Sequence, residues 1–226
     1  LEYFPDPKTT LYASFGHSFN PPRLYQLYSE PAYGYHGNPA LTPEKSNTFE
    51  FGGKKQFDDR TYLGLSFYHA KTTDMIGVSA PDAAGNRHYI NLNRTKKVGG
   101  EIELRHNFSH AWSAFVNYNY ERATDGDGDR IYYIPQHTLH LGVKYDKKPW
   151  SAYLEGQYIS SRNEPDEFSG HYLSDDAFFI ANCGINYQFM KNATLSLTVE
   201  NLFDLDYWQW YKARGRSVMV GVSFEM

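Results

Sequence analysis

Two stretches of this chain concentrate side chains able to hold a small molecule. Residues 25–36 carry Tyr25, Tyr28, Tyr33, Tyr35 and His36, and residues 204–216 carry Tyr207, Trp208, Trp210 and Tyr211 beside Lys212, Arg214 and Arg216. Aromatic faces stack on planar or catecholate ligands, and adjacent cations attract an anionic complex. A neutral imidazole such as that of His36 also suits iron. Each stretch has a plainer reading as well: His36 as an ordinary loop histidine, and 204–216 as an interfacial band of rings. His171, in a different loop, is a candidate second imidazole, and Tyr132 and Tyr133 are weaker ring candidates.

Residue type argues against several other chemistries. Asp125-Gly-Asp-Gly-Asp-Arg130 begins like a calcium loop, but Arg130 stands where the sixth position needs Gly and Gln136 where the twelfth needs Glu. That excludes an EF-hand and leaves a looser calcium loop or a solvated acidic turn. Neither a Ser-His-Asp pattern nor a glycine-rich phosphate loop is present, so no catalysis is expected. The single cysteine, Cys183, excludes an internal disulfide and a multi-cysteine zinc site. A net charge of −4 is too mild to call for nucleic acid. No metal site or resident cofactor is assigned.

The elements that must position these residues are strands. Segments of about ten residues alternate with period two, and helical spacing is hard to find. The alternation predicts strands at 9–19, 47–57, 61–72, 96–108, 112–122, 136–145, 149–159, 177–189, 193–203 and 215–226. Short connections (57–60, 107–110, 146–149, 190–192) alternate with long ones (20–46, 73–95, 123–135, 160–176, 204–214). Such an up-and-down meander has tight turns at one end and both candidate stretches in long loops at the other.

Only 41% of residues are hydrophobic, yet 17% are aromatic, including 20 Tyr. No apolar run reaches the ~18 residues of a transmembrane helix. The strands nevertheless have two unlike faces. Leu195, Leu197 and Val199 alternate with Thr194, Ser196, Thr198 and Glu200; Val218, Val220, Val222 and Phe224 alternate with Ser217, Met219, Gly221 and Ser223. Charges collect on the polar face at Glu50, Lys54, Glu101, Glu103, Arg105, Glu121, Lys144, Glu155, Glu200 and Glu225, while the apolar face is read as carrying only Lys55 and Arg216. A soluble sandwich and a membrane barrel both satisfy this pattern. Strand length favours the barrel, because a tilted membrane strand needs about 9–11 residues. So do unequal loops and rings at strand ends: Phe19, Phe57, Phe108, Trp112, Trp150, Phe189 and Phe203.

With the strands placed, FNPPRLYQLY (19–28) followed by GNPALTPEKSNTFEFG (37–52) resembles the paired boxes of TonB-dependent outer-membrane receptors. YINLNRTKKVGGEIEL (89–104), IYYIPQHTLHLGVKY (131–145) and LTVENLFDLDYWQW (197–210) with GRSVMVGVSF (215–224) are similar to further stretches of that family. Where the family pattern reads Gly-Val-Glu, this chain reads Gly99-Gly100-Glu101. Where the family ends in an aromatic residue, this chain ends in Met226, with Phe224 one outward slot earlier.

The resemblance implies an all-β fold, about ten transmembrane antiparallel strands from a barrel of about 22. Residues 1–226 are then the C-terminal portion of that barrel, with its plug domain outside this chain. It implies a receptor in the outer membrane of a Gram-negative bacterium, importing a scarce metal complex without being an enzyme. A ferric siderophore is favoured as cargo, with haem or cobalamin next; in the haem branch a histidine placed like His36 ligates iron. Implied partners are the TonB energy-coupling complex acting through the plug, the remainder of the barrel, and outer-membrane lipids and lipopolysaccharide. Cations of 204–216 are candidates to face lipopolysaccharide phosphates. The alternative is an independent ten-stranded barrel acting as a passive channel or porin. Pro39 and Pro43 are expected to return the first long loop to a strand rather than to touch ligand.

Overall fold

The computed structural model describes residues 1–30, 34–128, 130–131, 134–165, 172–209 and 211–225. In chain order its elements are β1 (Glu2–Asp6), β2 (Thr9–Asn20), α1 (Leu24–Tyr28), β3 (Tyr35–His36), β4 (Glu44–Gln56) and β5 (Thr61–Val78). They continue with β6 (Arg87–Asn107), β7 (Trp112–Thr124), β8 (His137–Lys147), β9 (Trp150–Ile159), β10 (Arg162–Pro165) and β11 (Tyr172–Asp175). The last are β12 (Phe178–Met190), β13 (Ala193–Glu200), β14 (Trp208–Gln209), β15 (Tyr211–Lys212) and β16 (Ser217–Phe224). Among the described residues, one sheet runs β1-β2-β4-β5-β6-β7-β8-β9-β12-β13-β16, each strand antiparallel to the one before, and does not close on itself. This is an open arc of a barrel wall.

All ten expected strands are present, and β1 adds an eleventh. Its Pro5 is compatible with pairing because β1 lies at the edge of the arc, where a missing N–H breaks no ladder. A larger difference lies beyond 73. Of the segment expected as a long loop, 73–95, only 79–86 is loop; the rest continues β5 and β6, paired without slip from Thr61↔His106 to Val78↔Tyr89.

Polar and apolar faces separate as the alternation requires. Along β4, Glu44, Ser46, Thr48 and Glu50 are half-buried, whereas Lys45, Asn47, Phe49 and Phe51 are exposed. A sheet curled toward its polar side crowds those side chains against one another and fans the apolar ones outward. Tyr12 donates to Glu50 (2.9 Å) and Tyr68 to Glu121 (2.6 Å), across strands on the polar face. Lys97 pairs with Glu121 at 3.2 Å on that face.

The apolar face has no counterpart to cover it. Leu65, Phe67, Ile102, Leu104, Val143, Leu154, Ile185, Leu197, Val220 and Val222 are all exposed, and no large side chain is fully buried among the described residues. Apolar exposure on this scale does not suit water; a bilayer accepts it. At the tight-turn end the rings of Phe57, Phe108, Trp112, Trp150 and Phe189 stand exposed, with Phe19 and Phe203 at the loop end. The reading that this face carries only Lys55 and Arg216 needs correction. Strand register adds Lys45, Lys71, Arg94, Lys96 and Arg122 toward the loop end and Lys147 at the tight-turn end.

Candidate functional site

The first long loop leaves β2 at Asn20, passes Pro21 and Pro22, and turns once as α1. The Arg23 N–H donates to Gln26 Oε1 (2.8 Å) at the start of that turn, and the Ser29 N–H donates to the Tyr25 carbonyl (3.0 Å) at its end. On the return, the Gly37 N–H donates to the Ser29 carbonyl and the Asn38 N–H to the Gln26 carbonyl, at 3.1 and 2.8 Å. Gly37 is required by this close approach: a Cβ there would lie 2.6 Å from the Ser29 nitrogen and 2.8 Å from the Leu27 carbonyl.

Two asparagines then fasten the loop to β6. Asn38 Nδ2 donates to the Tyr89 carbonyl (2.9 Å), while Asn38 Oδ1 accepts the Ala40 N–H. Asn91 Oδ1 accepts the Thr42 N–H, and its Nδ2 donates to the Thr42 and Asp74 carbonyls (2.9 and 2.6 Å). Leu41 is buried between these anchors. Pro39 lies in the turn that Asn38 caps, and Pro43 immediately precedes β4. Both hold backbone where no ladder bond is lost, as expected.

This fastening gathers a cluster of rings against the extension of β6. Tyr25 meets Tyr89 edge-on (5.9 Å, 71°), Tyr35 lies against Tyr89 (6.4 Å), and His36 stacks on His88 (4.8 Å, 27°). β3 pairs in parallel with β6 through Tyr35↔Arg87 and His36↔His88. Tyr25 and Tyr28 remain 49% and 67% exposed, so their faces are open to a ligand. His36 Nε2, by contrast, is buried without a hydrogen-bond partner among the described residues. His88 Nε2 is 3.7 Å from Asp82. Backbone N–H groups of Asn86 and Ala84 hold the Asp82 carboxyl below the usual carboxylate range.

The second candidate stretch forms a separate cluster. Tyr207 packs against Phe178 with tilted rings (4.6 Å, 38°), and Trp208 is exposed beside them. Asp176, Ala177, Phe178, Leu205, Asp206, Tyr207 and Trp208 line a cleft of about 300 Å³. Of the cations, Lys212 pairs with Asp206 (3.1 Å) and Arg216 with Asp204 (3.6 Å), while the Arg214 side chain is exposed. Tyr211 belongs to β15, opposite Gln209. Tyr33, Tyr132, Tyr133, His171, Trp210 and Met226 lie outside the described residues. No ring contact joins the two clusters among the described residues. Sequence reasoning missed His88, Tyr89 and Asn91, because it placed them in a loop with no partner.

The acidic run 125–130 closes on itself: the Asp127 N–H donates to Asp125 Oδ1 and the Gly128 N–H to the Asp125 carbonyl. Among the described residues, no three His, Cys, Asp or Glu side chains gather as metal ligands.

Comparison with known proteins places this geometry in a lineage. The family described as TonB dependent receptor-like, beta-barrel, matches residues 1–202. The chain is 23% identical over 212 residues to the ferric-pyoverdine 358 receptor of Pseudomonas putida, covering 88% of this chain and 24% of that protein. It is 27% identical over 176 residues to the catecholate siderophore receptor Fiu of Escherichia coli K12, covering 73% of this chain and 22% of that protein. Among solved structures, the copper transporter OprC superposes with a TM-score of 0.84 at 20% identity, over all of this chain and 38% of its own. The chain thus spans about a quarter of each of these two curated relatives. Members of this family are receptors and transporters rather than enzymes, and their small-molecule ligands are cargo. With the family match extending over most of its length, the chain belongs to the TonB-dependent receptor β-barrel family.

Proposed function

We propose that this chain is the C-terminal part of an outer-membrane receptor that imports a ferric siderophore in a Gram-negative bacterium, driven by the TonB complex acting on a plug within the barrel. In this reading the apolar face meets lipid, the polar face lines the lumen around the plug, and the long loops form part of the ligand vestibule. The remainder of the barrel completes the wall.

The observation that carries the cargo assignment is the ring cluster of the first loop, clamped by Asn38 and Asn91 so that Tyr25 and Tyr28 stay exposed. Exposed rings stack on aromatic iron chelators, and Trp208 with Arg214 provides a second surface of the same kind. Coordination of haem iron by His36 fits less well. Its Nε2 is buried and its ring face is covered by His88, so coordination would require the loop to open. The names of two relatives, a ferric-pyoverdine receptor and a catecholate siderophore receptor, support the same class of cargo.

The test uses the complete receptor. Cells lacking other siderophore receptors should take up radio-iron presented as a catecholate or mixed-chelate siderophore, saturably and only with TonB present. Tyr25→Ala with Tyr28→Ala should raise the half-saturating concentration severalfold. Uptake that is unsaturable and independent of TonB would replace this reading with a passive channel. Growth on haem that is abolished by His36→Ala would replace the cargo.

A further inference from the structure

The cleft beside Trp208 carries the wrong charge for an anionic ferric complex. Asp176 and Asp206 bring carboxylates to it, Phe178, Tyr207 and Trp208 bring rings, and among the described residues no cation lines it. Lys212, outside that lining, neutralises Asp206 at 3.1 Å. Asp176 is exposed and makes no ion pair among the described residues. One carboxylate of the cleft is therefore unmatched.

Register fixes which way the cleft faces. Phe178↔Ile159 continues the face of Ile180↔Gln157 and Asn182↔Glu155, which is the polar face. The buried Phe178 ring thus stands on the side that the reading above turns to the lumen, at the loop end where cargo enters. The Tyr207 ring packs against it at 4.6 Å. The ring-bearing segment is also tied down before any ligand arrives. Asn201 Oδ1 accepts the Leu205 N–H and its Nδ2 donates to the Leu205 carbonyl, at 2.9 and 2.8 Å. The Ala213 N–H donates to the Tyr207 carbonyl at 3.0 Å, and Trp208 pairs with Lys212 across β14 and β15. Little ordering is left to oppose binding.

A carboxylate beside aromatic faces is the chemistry that recognises an organic cation. The rings attract its charge and the carboxylate accepts its N–H donors; a catecholate oxygen would be repelled. A volume of about 300 Å³ lies at the low end for small-molecule pockets, room for a side arm rather than a whole ferric chelate. We infer that this cleft binds an ammonium group on a flexible arm of the cargo, so that the receptor selects ferric siderophores carrying a free amine. The ammonium donates to the Asp176 carboxylate while its carbon stem lies against Trp208 and Tyr207. Arg214, outside the cleft, is left for the anionic chelate.

The inference rests on the siderophore reading, and its test separates the two. The complete receptor, purified in detergent, is titrated with the ferric complex of dihydroxybenzoyl-lysine and with that of its Nε-acetyl form. Cadaverine, an amine without a catechol, is titrated alone. The free-amine complex should bind about three- to thirtyfold more tightly than the acetylated one, and added salt should narrow the difference. Asp176→Asn should bring the two complexes to one affinity, Asp176→Glu should keep them apart, and Trp208→Leu should shrink the preference. Heat-modifiable migration of each variant reports that it is folded. Equal binding of both complexes by the wild type would overturn the inference and leave the siderophore reading standing. So would a preference that survives Asp176→Asn, or cadaverine bound as tightly as the free-amine complex, which would make the cleft a polyamine site. Binding of neither ferric complex would remove the siderophore reading and this inference with it.

Discussion

His36 and His88 lie ring over ring, 4.8 Å apart, and join the first long loop to the extension of the longest hairpin. Losing an aromatic contact of this kind costs about 0.5–1.5 kcal/mol. With a siderophore as cargo, as proposed above, His88→Ala in the complete receptor is therefore expected to weaken its binding about two- to tenfold. Hydrogen exchange should speed up at the Gly37 and Asn38 amides, which donate to Ser29 and Gln26. Unchanged exchange would show that Asn38 and Asn91 hold the loop without the stacked pair.

Gly99 lies beneath the Tyr68 ring, whose hydroxyl donates to Glu121 at 2.6 Å. A Cβ at Gly99 would collide with that ring and stand 2.6 Å from the Tyr120 carbonyl. Gly99→Ala is expected to destabilise the barrel by about 1–3 kcal/mol through overpacking. Removing the ring as well, in Gly99→Ala with Tyr68→Ala, should cost less than the sum of the two single changes. Thermal unfolding of the four proteins in one detergent measures the difference.

The membrane-spanning part of the fold was legible in the sequence because a bilayer on one side and a polar lumen on the other impose strict alternation. Leu195–Val199 and Val218–Val222 show that code, and both strands lie where it put them. Beyond the rim both faces meet water and the code lapses. Thr72, Thr73, Ile76 and Val78 have strand propensity but no alternation, so 73–95 read as a loop although 73–78 and 89–95 belong to one antiparallel ladder. The same lapse hid the site: Tyr25 and His36 were legible as ring chemistry, but their partners Tyr89 and His88 lie about 50 residues away on that unread extension. The outward cations were missed for another reason: faces were assigned strand by strand, and it is register that sets Lys71 opposite Lys96 on the apolar face.

Asn201 is 4% exposed and holds the corner after β13. Its Nδ2 donates to the Leu205 and Arg214 carbonyls (2.8 and 3.3 Å), and its Oδ1 accepts the Leu205 N–H (2.9 Å). Its φ of 50° lies in the left-handed region that asparagine tolerates better than most residues. Asn201→Ala loses the bonds and meets the strain, at about 1–3 kcal/mol for unmet buried groups and about 1–2 kcal/mol for the backbone. Asn201→Gly relieves only the strain and should fall between wild type and alanine. The order of unfolding temperatures checks this, and equal values for Ala and Gly would remove the backbone contribution.

The face assignment itself is open to a paired substitution. Leu65 is exposed on the apolar face, opposite Ile102, near the middle of the alternating stretch 61–72 of β5. Asn117 is exposed on the polar face, opposite Glu103 and His140. An arginine facing hydrocarbon near the bilayer midplane costs about 2–4 kcal/mol, whereas one facing the lumen changes mainly selectivity. Leu65→Arg should therefore lower the amount of heat-modifiable, membrane-inserted receptor and its denaturant midpoint. Asn117→Arg should leave both within error, since its new charge faces Glu103 across the strand pair. If Asn117→Arg were the damaging change and Leu65→Arg the neutral one, the polar face would be the lipid face, and the barrel would be inverted relative to the register described above.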